Sequence, residues 1–366
     1  MRLLVSAGGT AGGVYPALAV VDALGKRVKV LWVGSEGGME ASLVKREGYA
    51  FEGVPAAGVH GVGLLNLPSN LMRLTRGIAA ARKVIRRFRP DALFFTGGFV
   101  GIPVVLAGRG LPKAVYVPDI EPALASRLIG RTADVITVTT EASCSHYASN
   151  RRVVVTGYPT RPELKTAEKD ESRRHLNLDL DKQVVLVFGG SLGARSINQA
   201  LWGCLTNLLE QAQVVHITGE LDWPQVRDVE SGLPQNLAGN YHSYPYLHEE
   251  MASALAAADL VVSRAGAATL GEYPLLGLPS VLVPYPHAWR YQEVNAQYLV
   301  SHGAAVQLAD EDLASKLLLT ILELLGDPDR LSGMATAAKE MANPDAAQMI
   351  AAEIESLVRL KGIACG

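Results

Sequence analysis

The sequence predicts an α/β protein of two doubly wound, parallel-sheet domains facing each other across a cleft. Two stretches support this fold class, residues 3–13 and residues 184–196, and each is an apolar strand that runs into a glycine-rich turn and then a helix. A turn of this kind between a buried strand and a helix N-terminus forms an anion site. Strands and helices alternate along the rest of the chain, which indicates parallel sheets covered on both faces.

The composition is that of a globular chain with more than one core. Its 366 residues exceed one ordinary domain, and 49% hydrophobic with 19% charged residues excludes a disordered or fibrous protein. The formal net charge of −2 argues against a dedicated nucleic-acid binder. The three cysteines form no zinc or disulfide pattern. Because no run approaches the roughly 20 apolar residues of a membrane span, we expect a soluble chain that can still lie on a membrane surface.

The first half shows one basic segment among its alternating strands and helices. Residues 51–69 are interpreted as a loop, and a strongly basic helix is expected at about 69–87, beside Leu64, Leu65, Leu67, Leu71 and Met72. Such a surface is typical of binding to an anionic membrane, and a solvated amphipathic helix is the alternative. The other expected elements are helices at about 15–24, with Pro16 near its first turn, and 39–47, and strands at 28–33, 91–95, 114–117, 134–138 and 152–155.

The second half repeats the alternation after a change in composition. Residues 161–183 are charged and polar, and they predict a connection between the domains together with a surface helix. The elements expected beyond it are strands at 184–188, 213–218, 241–244, 260–263 and 280–283, a long helix at about 310–325 and a tail helix at 345–361.

Several polar residues after the strands suit a nucleotide-sugar site. Arg161 follows the last strand of the first half, where a guanidinium can pair with a diphosphate. Glu272 ends a small-residue segment, 263–272, and its carboxylate can accept hydrogen bonds from both hydroxyls of a ribose. Gln292 and Asn295 are three residues apart, so they share a helix face and can both bind sugar hydroxyls. The alternatives are a surface arginine and a glutamate that only stabilises the helix dipole.

Other nucleotide and metal patterns are missing. Neither glycine turn has the GxGxxG spacing of dinucleotide sites or the lysine of a P-loop. The DxD triplets at 179–181, 310–312 and 327–329 follow no core strand, so we interpret them as turns and helix caps and expect no metal site. His287 is a candidate base, although a loop histidine is more often a surface residue.

The chain resembles the MurG family, peripheral membrane glycosyltransferases of glycosyltransferase family 28. The shared motifs are the Gly-Gly-Thr opening and residues 96–100, 156–161, 189–195, 263–272 and 292–296. The resemblance implies a GT-B fold of two Rossmann-like domains: residues 1–160 plus 343–366 as the N-terminal acceptor and membrane-facing domain, and 161–342 as the C-terminal UDP-sugar-binding domain. It implies inverting transfer of N-acetylglucosamine from UDP-N-acetylglucosamine to an undecaprenyl-pyrophosphoryl-muramyl-pentapeptide, in peptidoglycan synthesis at the cytoplasmic face of the plasma membrane.

The resemblance also implies roles for individual residues. Arg161 and Ser191 would hold the diphosphate, backbone near Leu247 would meet uracil, and Gln292 would bind the sugar. UDP-N-acetylglucosamine would be the donor substrate, with no cofactor and no strictly required metal. The implied partners are a UDP-sugar, a lipid-linked acceptor, an anionic membrane surface and other cell-wall enzymes, and not nucleic acid. The full donor set implied is Thr10, Ala11, Gly12, Asp119, Arg161, Gly190, Ser191, Leu192, Gly193, Leu247, Ala267, Ala268, Thr269, Leu270, Gly271, Glu272, Gln292 and Asn295.

The motifs on the acceptor side depart from the family pattern. Gly13 stands where the family carries the histidine that is its favoured general base, and a glycine cannot accept a proton. Tyr116 and Asp119 replace the first and last residues of the family's His-Glu-Gln-Asn segment, and Tyr158 replaces an asparagine. Either the base has moved, with Asp119 as the first candidate, or the chemistry is impaired. A turn aspartate after Pro118 is the other interpretation of Asp119.

Three rival functions remain open at this point. The first is a related glycosyltransferase that uses a UDP-sugar and another lipid acceptor. The second is a UDP-sugar epimerase with the same two-domain plan, and the third is a catalytically weak UDP-sugar-binding protein that acts through a partner.

Overall fold

The computed structural model describes residues 1–8, 11–56, 67–190, 193–287 and 290–364. The chain divides into two compact units, one formed by Met1–Arg161 with Asn343–Gly366 and the other by Pro162–Ala342. Arg161, expected to open the second unit, therefore closes the first. Within the described ranges no helix is both long and apolar enough to cross a bilayer.

The first unit is built on a parallel sheet. Its strands are β1 (Arg2–Ser6), β2 (Lys29–Ser35), β3 (Ala50–Val54), β4 (Ala92–Phe95), β5 (Lys113–Val117), β6 (Val135–Val138) and β7 (Val153–Val155). They are ordered β3-β2-β1-β4-β5-β6-β7. The direction of winding reverses between β1 and β4, and ligands of such sheets bind beyond the carboxyl ends of the strands at this switch point.

The second unit repeats the same topology. Its strands are β8 (Val184–Phe188), β9 (Gln213–Ile217), β10 (Tyr241–Tyr244), β11 (Leu260–Ser263), β12 (Ser280–Leu282) and β13 (Ala305–Gln307). They are ordered β10-β9-β8-β11-β12-β13, all parallel, so the switch point lies between β8 and β11.

α-Helices connect the successive strands in both units, except that β6 is joined to β7 through a 3-10 helix at Glu141–His146. In chain order they are α1 (Ala11–Leu24), α2 (Glu40–Arg46), α3 (Leu67–Phe88), α4 (Gly101–Ala107), α5 (Leu124–Gly130), α6 (Lys169–His175), α7 (Arg195–Leu209), α8 (Val226–Ser231), α9 (Met251–Ala257), α10 (Glu272–Leu276), α11 (Tyr291–Ser301), α12 (Leu313–Leu325), α13 (Pro328–Glu340) and α14 (Ala346–Ala364). The last of these returns to the first unit, where it packs against α1, β4 and β5.

Three expectations about the elements are wrong. Residues 51–69 are not all loop, because β3 occupies their first part and α3 begins at Leu67; residues 57–66 lie outside the described ranges. The strand β13 was not expected either. Both missed strands lie at a sheet edge and are short or carry few buried residues, so their apolar pattern is weak. Finally, α1 begins at Ala11, which places Pro16 inside the helix rather than near its start.

Candidate functional site

In the second unit the two most informative motifs lie side by side at the switch point. Phe188 at the end of β8 pairs in register with Ser263 at the end of β11. The expected 189–193 turn, of which the structure describes Gly189, Gly190 and Gly193, follows the first strand, and the 263–272 segment follows the second. The N–H of Gly193 donates to the Gly190 carbonyl oxygen (3.0 Å). Leu247 and Gln292 follow β10 and β12 of the same sheet. Because all these strands are parallel, the expected donor-binding residues of this unit follow carboxyl ends at one edge.

The 189–193 turn is shaped by glycines that cannot be replaced without strain. Gly190 and Gly193 have φ of 96° and 76°, in the left-handed region. A Cβ on Gly193 would lie 2.4 Å from the carbonyl oxygen of Thr218. Ala194 precedes α7 without a side-chain cap, and the first turn of this helix has no acidic residue. Its backbone N–H groups and the positive end of its dipole therefore suit an anion.

Replacing Gly193 with alanine is expected to destabilise the protein, because the new Cβ meets Thr218 backbone in a conformation that costs about 1–2 kcal/mol for an L-residue. Thermal unfolding measures this. Gly203 is the matched control: it is exposed inside α7 with nothing within 4 Å of an added Cβ. Gly203→Ala should stabilise by about 0.5–1 kcal/mol. Equal melting temperatures for Gly193→Ala and wild type would contradict this account.

A buried polar network fixes the start of α7 to the sheet. The Asn198 amide nitrogen donates to the Thr218 carbonyl oxygen (2.8 Å) and to Asp222 Oδ2 (2.9 Å). Its oxygen therefore accepts from His216 Nε2 at 3.0 Å, and the Tyr241 hydroxyl donates to His216 Nδ1 at 2.9 Å. Burial lowers the pKa of His216 to about 3, so the ring is uncharged at neutral pH. No motif in the sequence predicts this network.

The 263–272 segment is compact and mostly buried. A 3-10 turn at Ala267–Leu270 precedes α10, and Glu272 is the first residue of that helix. Glu272 is 5% exposed. The Ser263 and Tyr273 hydroxyls lie 2.6 Å apart, which ties the strand end to the helix. The carboxyl group is thus carried by a rigid segment at the switch point.

Gln292 and Asn295 occupy different environments despite their shared helix. The Gln292 side-chain oxygen accepts a hydrogen bond from the backbone N–H of Tyr285 (2.9 Å), and the residue is half-buried. Asn295 is fully buried, and its amide donates to the carbonyl oxygen of Ala265 (3.2 Å). Asn295 therefore supports the 263–272 segment from beneath. Its expected contact with a sugar stays a prediction, as does the expected uracil contact near Leu247, which is 8% exposed.

In the first unit Gly8, which follows β1, and Gly13, which lies in α1, approach the turn after β4. The Thr96 hydroxyl donates to the Gly13 carbonyl oxygen (2.7 Å), and a Cβ on Gly98 would lie 2.4 Å from the carbonyl oxygen of Gly8. A Cβ on Gly13 would lie 3.5 Å from Thr96 Oγ1, which is an ordinary contact. The backbone at Gly13 thus has room for the start of a larger side chain.

Arg161 and Tyr15 form a cation–π pair within this unit. The guanidinium carbon lies 4.6 Å from the centroid of the Tyr15 ring, in α1. The Tyr15 ring restricts the orientation of the Arg161 guanidinium, which is expected to bind a diphosphate. The sequence analysis did not identify Tyr15 as a site residue.

The two tyrosines that replace family residues contact each other. The rings of Tyr116 and Tyr158 are edge-to-face with centroids 6.3 Å apart, and both side chains are buried. The Tyr116 hydroxyl lies 2.7 Å from Thr139 Oγ1, and burial raises the pKa of Tyr116 well above its usual value. Thr139 also donates to the carbonyl oxygen of Pro118 (2.7 Å), which fixes the backbone beside the half-buried Asp119. Two of the altered acceptor-side positions therefore pack against each other as one Tyr116–Tyr158 cluster.

Some expected site residues lie outside the described ranges, and the structure describes only the backbone of one other. Thr10, Ser191 and Leu192 lie outside the described ranges, and Ala11 is the residue described by its backbone alone. Gly12 and His287 are exposed, and Asp327 caps α13 by accepting from the N–H of Arg330. Among the described residues no group of three or more acidic, histidine or cysteine side chains is arranged to hold a metal ion.

Comparison with known proteins decides the family. Residues 3–138 match the glycosyltransferase family 28 N-terminal domain, and residues 184–350 match the glycosyltransferase family 28 C-terminal domain. The chain belongs to glycosyltransferase family 28. The expected resemblance, enzyme class and GT-B fold of two parallel-sheet units are confirmed.

Two relatives of this family 28 chain match it over nearly its whole length. Proteins from Roseiflexus sp. (strain RS-1) and Bacillus cytotoxicus are 40% and 36% identical, over 98% of this chain and 95% and 100% of the relatives. Both are named UDP-N-acetylglucosamine--N-acetylmuramyl-(pentapeptide) pyrophosphoryl-undecaprenol N-acetylglucosamine transferase.

The similar solved structures include a MurG and more distant proteins that share only the fold. The crystal structure of Acinetobacter baumannii MurG is 26% identical with a TM-score of 0.75, over 97% of this chain and 99% of that one. The UDP-GlcNAc 2-epimerase from Neisseria meningitidis has a TM-score of 0.66 over 98% and 100% of the two chains. At 15% identity it shares only the fold.

Proposed function

We propose that this glycosyltransferase moves N-acetylglucosamine from UDP-N-acetylglucosamine to an undecaprenyl-pyrophosphoryl-muramyl-pentapeptide, with inversion at the anomeric carbon. The relatives named for this reaction support it over nearly the whole chain. The structural observation that carries it is the adjacency of the 189–193 turn and the 263–272 segment at the switch point of the second unit. An anion-binding turn beside a buried carboxylate matches the diphosphate and ribose of a nucleotide sugar.

On the donor side, the site must stabilise the negative charge of the departing UDP. As the acceptor hydroxyl attacks the anomeric carbon, the bond to UDP breaks and negative charge grows on the diphosphate. The N–H group of Gly190 and the uncapped start of α7 would stabilise that charge. The family resemblance assigns Arg161 to the diphosphate as well. Glu272 would accept hydrogen bonds from the ribose hydroxyls. With these donors we propose that no metal is strictly required.

The acceptor half needs a proton acceptor. We assign this role to Asp119, because Gly13 has no side chain to take the proton and Asp119 follows the end of β5, on backbone fixed through Thr139. The proton of the acceptor hydroxyl would pass to the Asp119 carboxylate as the new glycosidic bond forms.

The basic helix supports an approach to the membrane at the cytoplasmic face. Its core-facing positions, Gly77, Ala81, Val84 and Phe88, are buried at helical spacing. The opposite face is exposed and carries the basic residues Arg76, Arg82, Lys83 and Arg86, together with Leu71 and Met72, which are more than half exposed. Cationic side chains beside exposed apolar ones suit an anionic lipid surface.

The double change Arg82→Glu and Arg86→Glu is expected to weaken binding to vesicles of phosphatidylglycerol and phosphatidylcholine by at least 10-fold, since each basic residue contributes about 1 kcal/mol at such a surface. Vesicle co-sedimentation measures it. Arg227→Glu with Arg330→Glu is the matched control, because both arginines are exposed in the second unit and the net charge changes equally. Equal binding of the two double variants would contradict a membrane role for α3.

The test of the function is an acceptor screen with radiolabelled UDP-N-acetylglucosamine, run with and without EDTA. Transfer of label to the muramyl-pentapeptide lipid, unaffected by EDTA, is the expected result. Label on diacylglycerol or another polyprenyl lipid alone would instead establish a glycosyltransferase with a different acceptor, which the Tyr116–Tyr158 cluster favours as the second candidate. Binding of UDP-N-acetylglucosamine without transfer to any lipid would refute the enzymatic assignment.

A further inference from the structure

We propose that Arg264 is a positioning residue that holds the diphosphate, ribose and sugar parts of the donor site at fixed distances from one another. The inference rests on the proposed function and deepens it. Arg264 directly follows β11 and belongs to the 263–272 segment, yet its side chain is only 9% exposed. A cation this deeply buried needs several partners.

The guanidinium contacts three other segments of the second unit. One terminal nitrogen donates to Ser196 Oγ at 2.8 Å. The other donates to the carbonyl oxygens of Val283 (3.2 Å) and Pro284 (3.4 Å), and it forms an ion pair with Asp310. The planar guanidinium can make these bonds at once because its donors point in fixed, diverging directions.

Two of the contacted segments carry an expected part of the donor site, and Asp310 supplies the counter-charge. Ser196 lies in the first turn of α7, immediately after the 189–193 turn. The guanidinium carbon lies 5.2 Å from the ring centroid of Tyr285, and the Tyr285 N–H donates to Gln292. Arg264 itself begins the stretch that ends at Glu272. One side chain therefore links the segments proposed to bind diphosphate, ribose and sugar.

The charge of Arg264 is already neutralised within the protein. Asp310 pairs with it and also accepts from the Ser196 hydroxyl at 2.9 Å. Arg264, Asp310 and Ser196 therefore all contact one another at the start of α7. Because the cation is buried and paired, it serves to fix these segments rather than to bind a phosphate directly.

A second buried arginine provides a matched control. Arg173 is 7% exposed, pairs with Asp259 at 2.7 Å, and donates to the carbonyl oxygens of Ala257 (3.1 Å) and Leu180 (2.9 Å). Asp259 immediately precedes β11, whereas Arg264 immediately follows it. The two arginines thus have similar partners in the same unit but lie at opposite ends of one strand, and only Arg264 lies at the carboxyl end.

The test compares Arg264→Lys with Arg173→Lys. A lysine keeps the charge but cannot bridge Ser196, Asp310 and the 283–284 carbonyls together. Both variants should lose similar thermal stability. Only Arg264→Lys should weaken UDP and UDP-N-acetylglucosamine binding, measured by calorimetry, by about 10- to 100-fold, as expected when binding groups are misplaced. Ser196→Ala is a milder second variant, and it should weaken UDP binding while leaving uridine binding unchanged, since it loosens only the diphosphate segment.

The outcomes separate this inference from the proposed function. If the wild-type chain binds no UDP, the proposed function fails. If the wild type binds UDP and the folded Arg264→Lys and Ser196→Ala variants bind it equally well, the positioning role is overturned. Equal losses of affinity in Arg264→Lys and Arg173→Lys would also overturn it, because a general loss of stability would then explain both.

Discussion

Asp119→Asn is expected to lower kcat by about 10²- to 10³-fold while KM for UDP-N-acetylglucosamine changes little, because the amide keeps the shape of the side chain but cannot accept the acceptor's proton. Steady-state kinetics with the lipid acceptor measure both constants. Glu121→Gln is the matched control: Glu121 lies two residues further along and pairs with Arg127 at 3.2 Å on the surface. Since such surface pairs contribute little, this variant should behave as wild type.

Gly13→His provides the reciprocal test. A Cβ added at Gly13 would lie 3.5 Å from Thr96 Oγ1 and 3.7 Å from the Thr96 carbonyl oxygen, so the Cβ of an introduced histidine meets no clash. In the Asp119→Asn background it should restore part of the lost kcat, with a new dependence on the ionisation of an imidazole in the pH profile. A wild-type kcat for Asp119→Asn would refute the assignment of the base, and a rise in kcat for Gly13→His alone would then indicate that the base had been lost.

Glu272→Gln is expected to weaken UDP binding by about 10²-fold, since hydrogen bonds to a charged group contribute about 1.5–3 kcal/mol each. Glutamine keeps the volume of this 5%-exposed side chain, so the fold should be retained. Calorimetry with UDP and with 2′,3′-dideoxy-UDP measures the interaction directly. Wild type should lose affinity for the dideoxy ligand, whereas the variant should bind both ligands equally weakly.

The comparison of UDP with 2′,3′-dideoxy-UDP also shows which result would contradict this prediction. If Glu272→Gln still discriminates strongly against the ligand without ribose hydroxyls, the ribose is bound by other groups. Glu272 would then act only on the dipole of α10, the alternative left open by the sequence.

The fold could be predicted well where the strands are buried and central. The strands β8, β10 and β11 begin and end where the apolar pattern indicates, and the motifs follow the expected strand ends. The pattern fails at the edges: of the residues in β3 only Val54 is buried, and β13 has only Ala305. An edge strand faces few neighbours, so its sequence carries little of the hydrophobic signal on which such a prediction depends.

The site shows a similar division. Glycine turns and the residues after strands could be found because short motifs encode them locally. The contacts that hold those motifs could not: Arg264 reaches Ser196, 68 residues earlier, and Asp310, 46 residues later. Nor did the sequence show that Asn295 is buried beneath Ala265 or that Tyr116 packs against Tyr158. These pairings arise only when distant strands and helices are brought together.

The return of α14 to the first unit affects the order in which the protein can fold during synthesis. Ile350 and Ile354 of this helix are fully buried, Asn343 donates to the Thr156 carbonyl oxygen (2.9 Å), and Glu353 pairs with Arg152 (2.6 Å). The first unit therefore lacks part of its core until α14 leaves the ribosome. The second unit, Pro162–Ala342, is contiguous and can be complete earlier. Although it is translated first, the amino-terminal part of the first unit cannot complete its core before α14 is made, and until then part of its apolar surface is left for chaperones to shield.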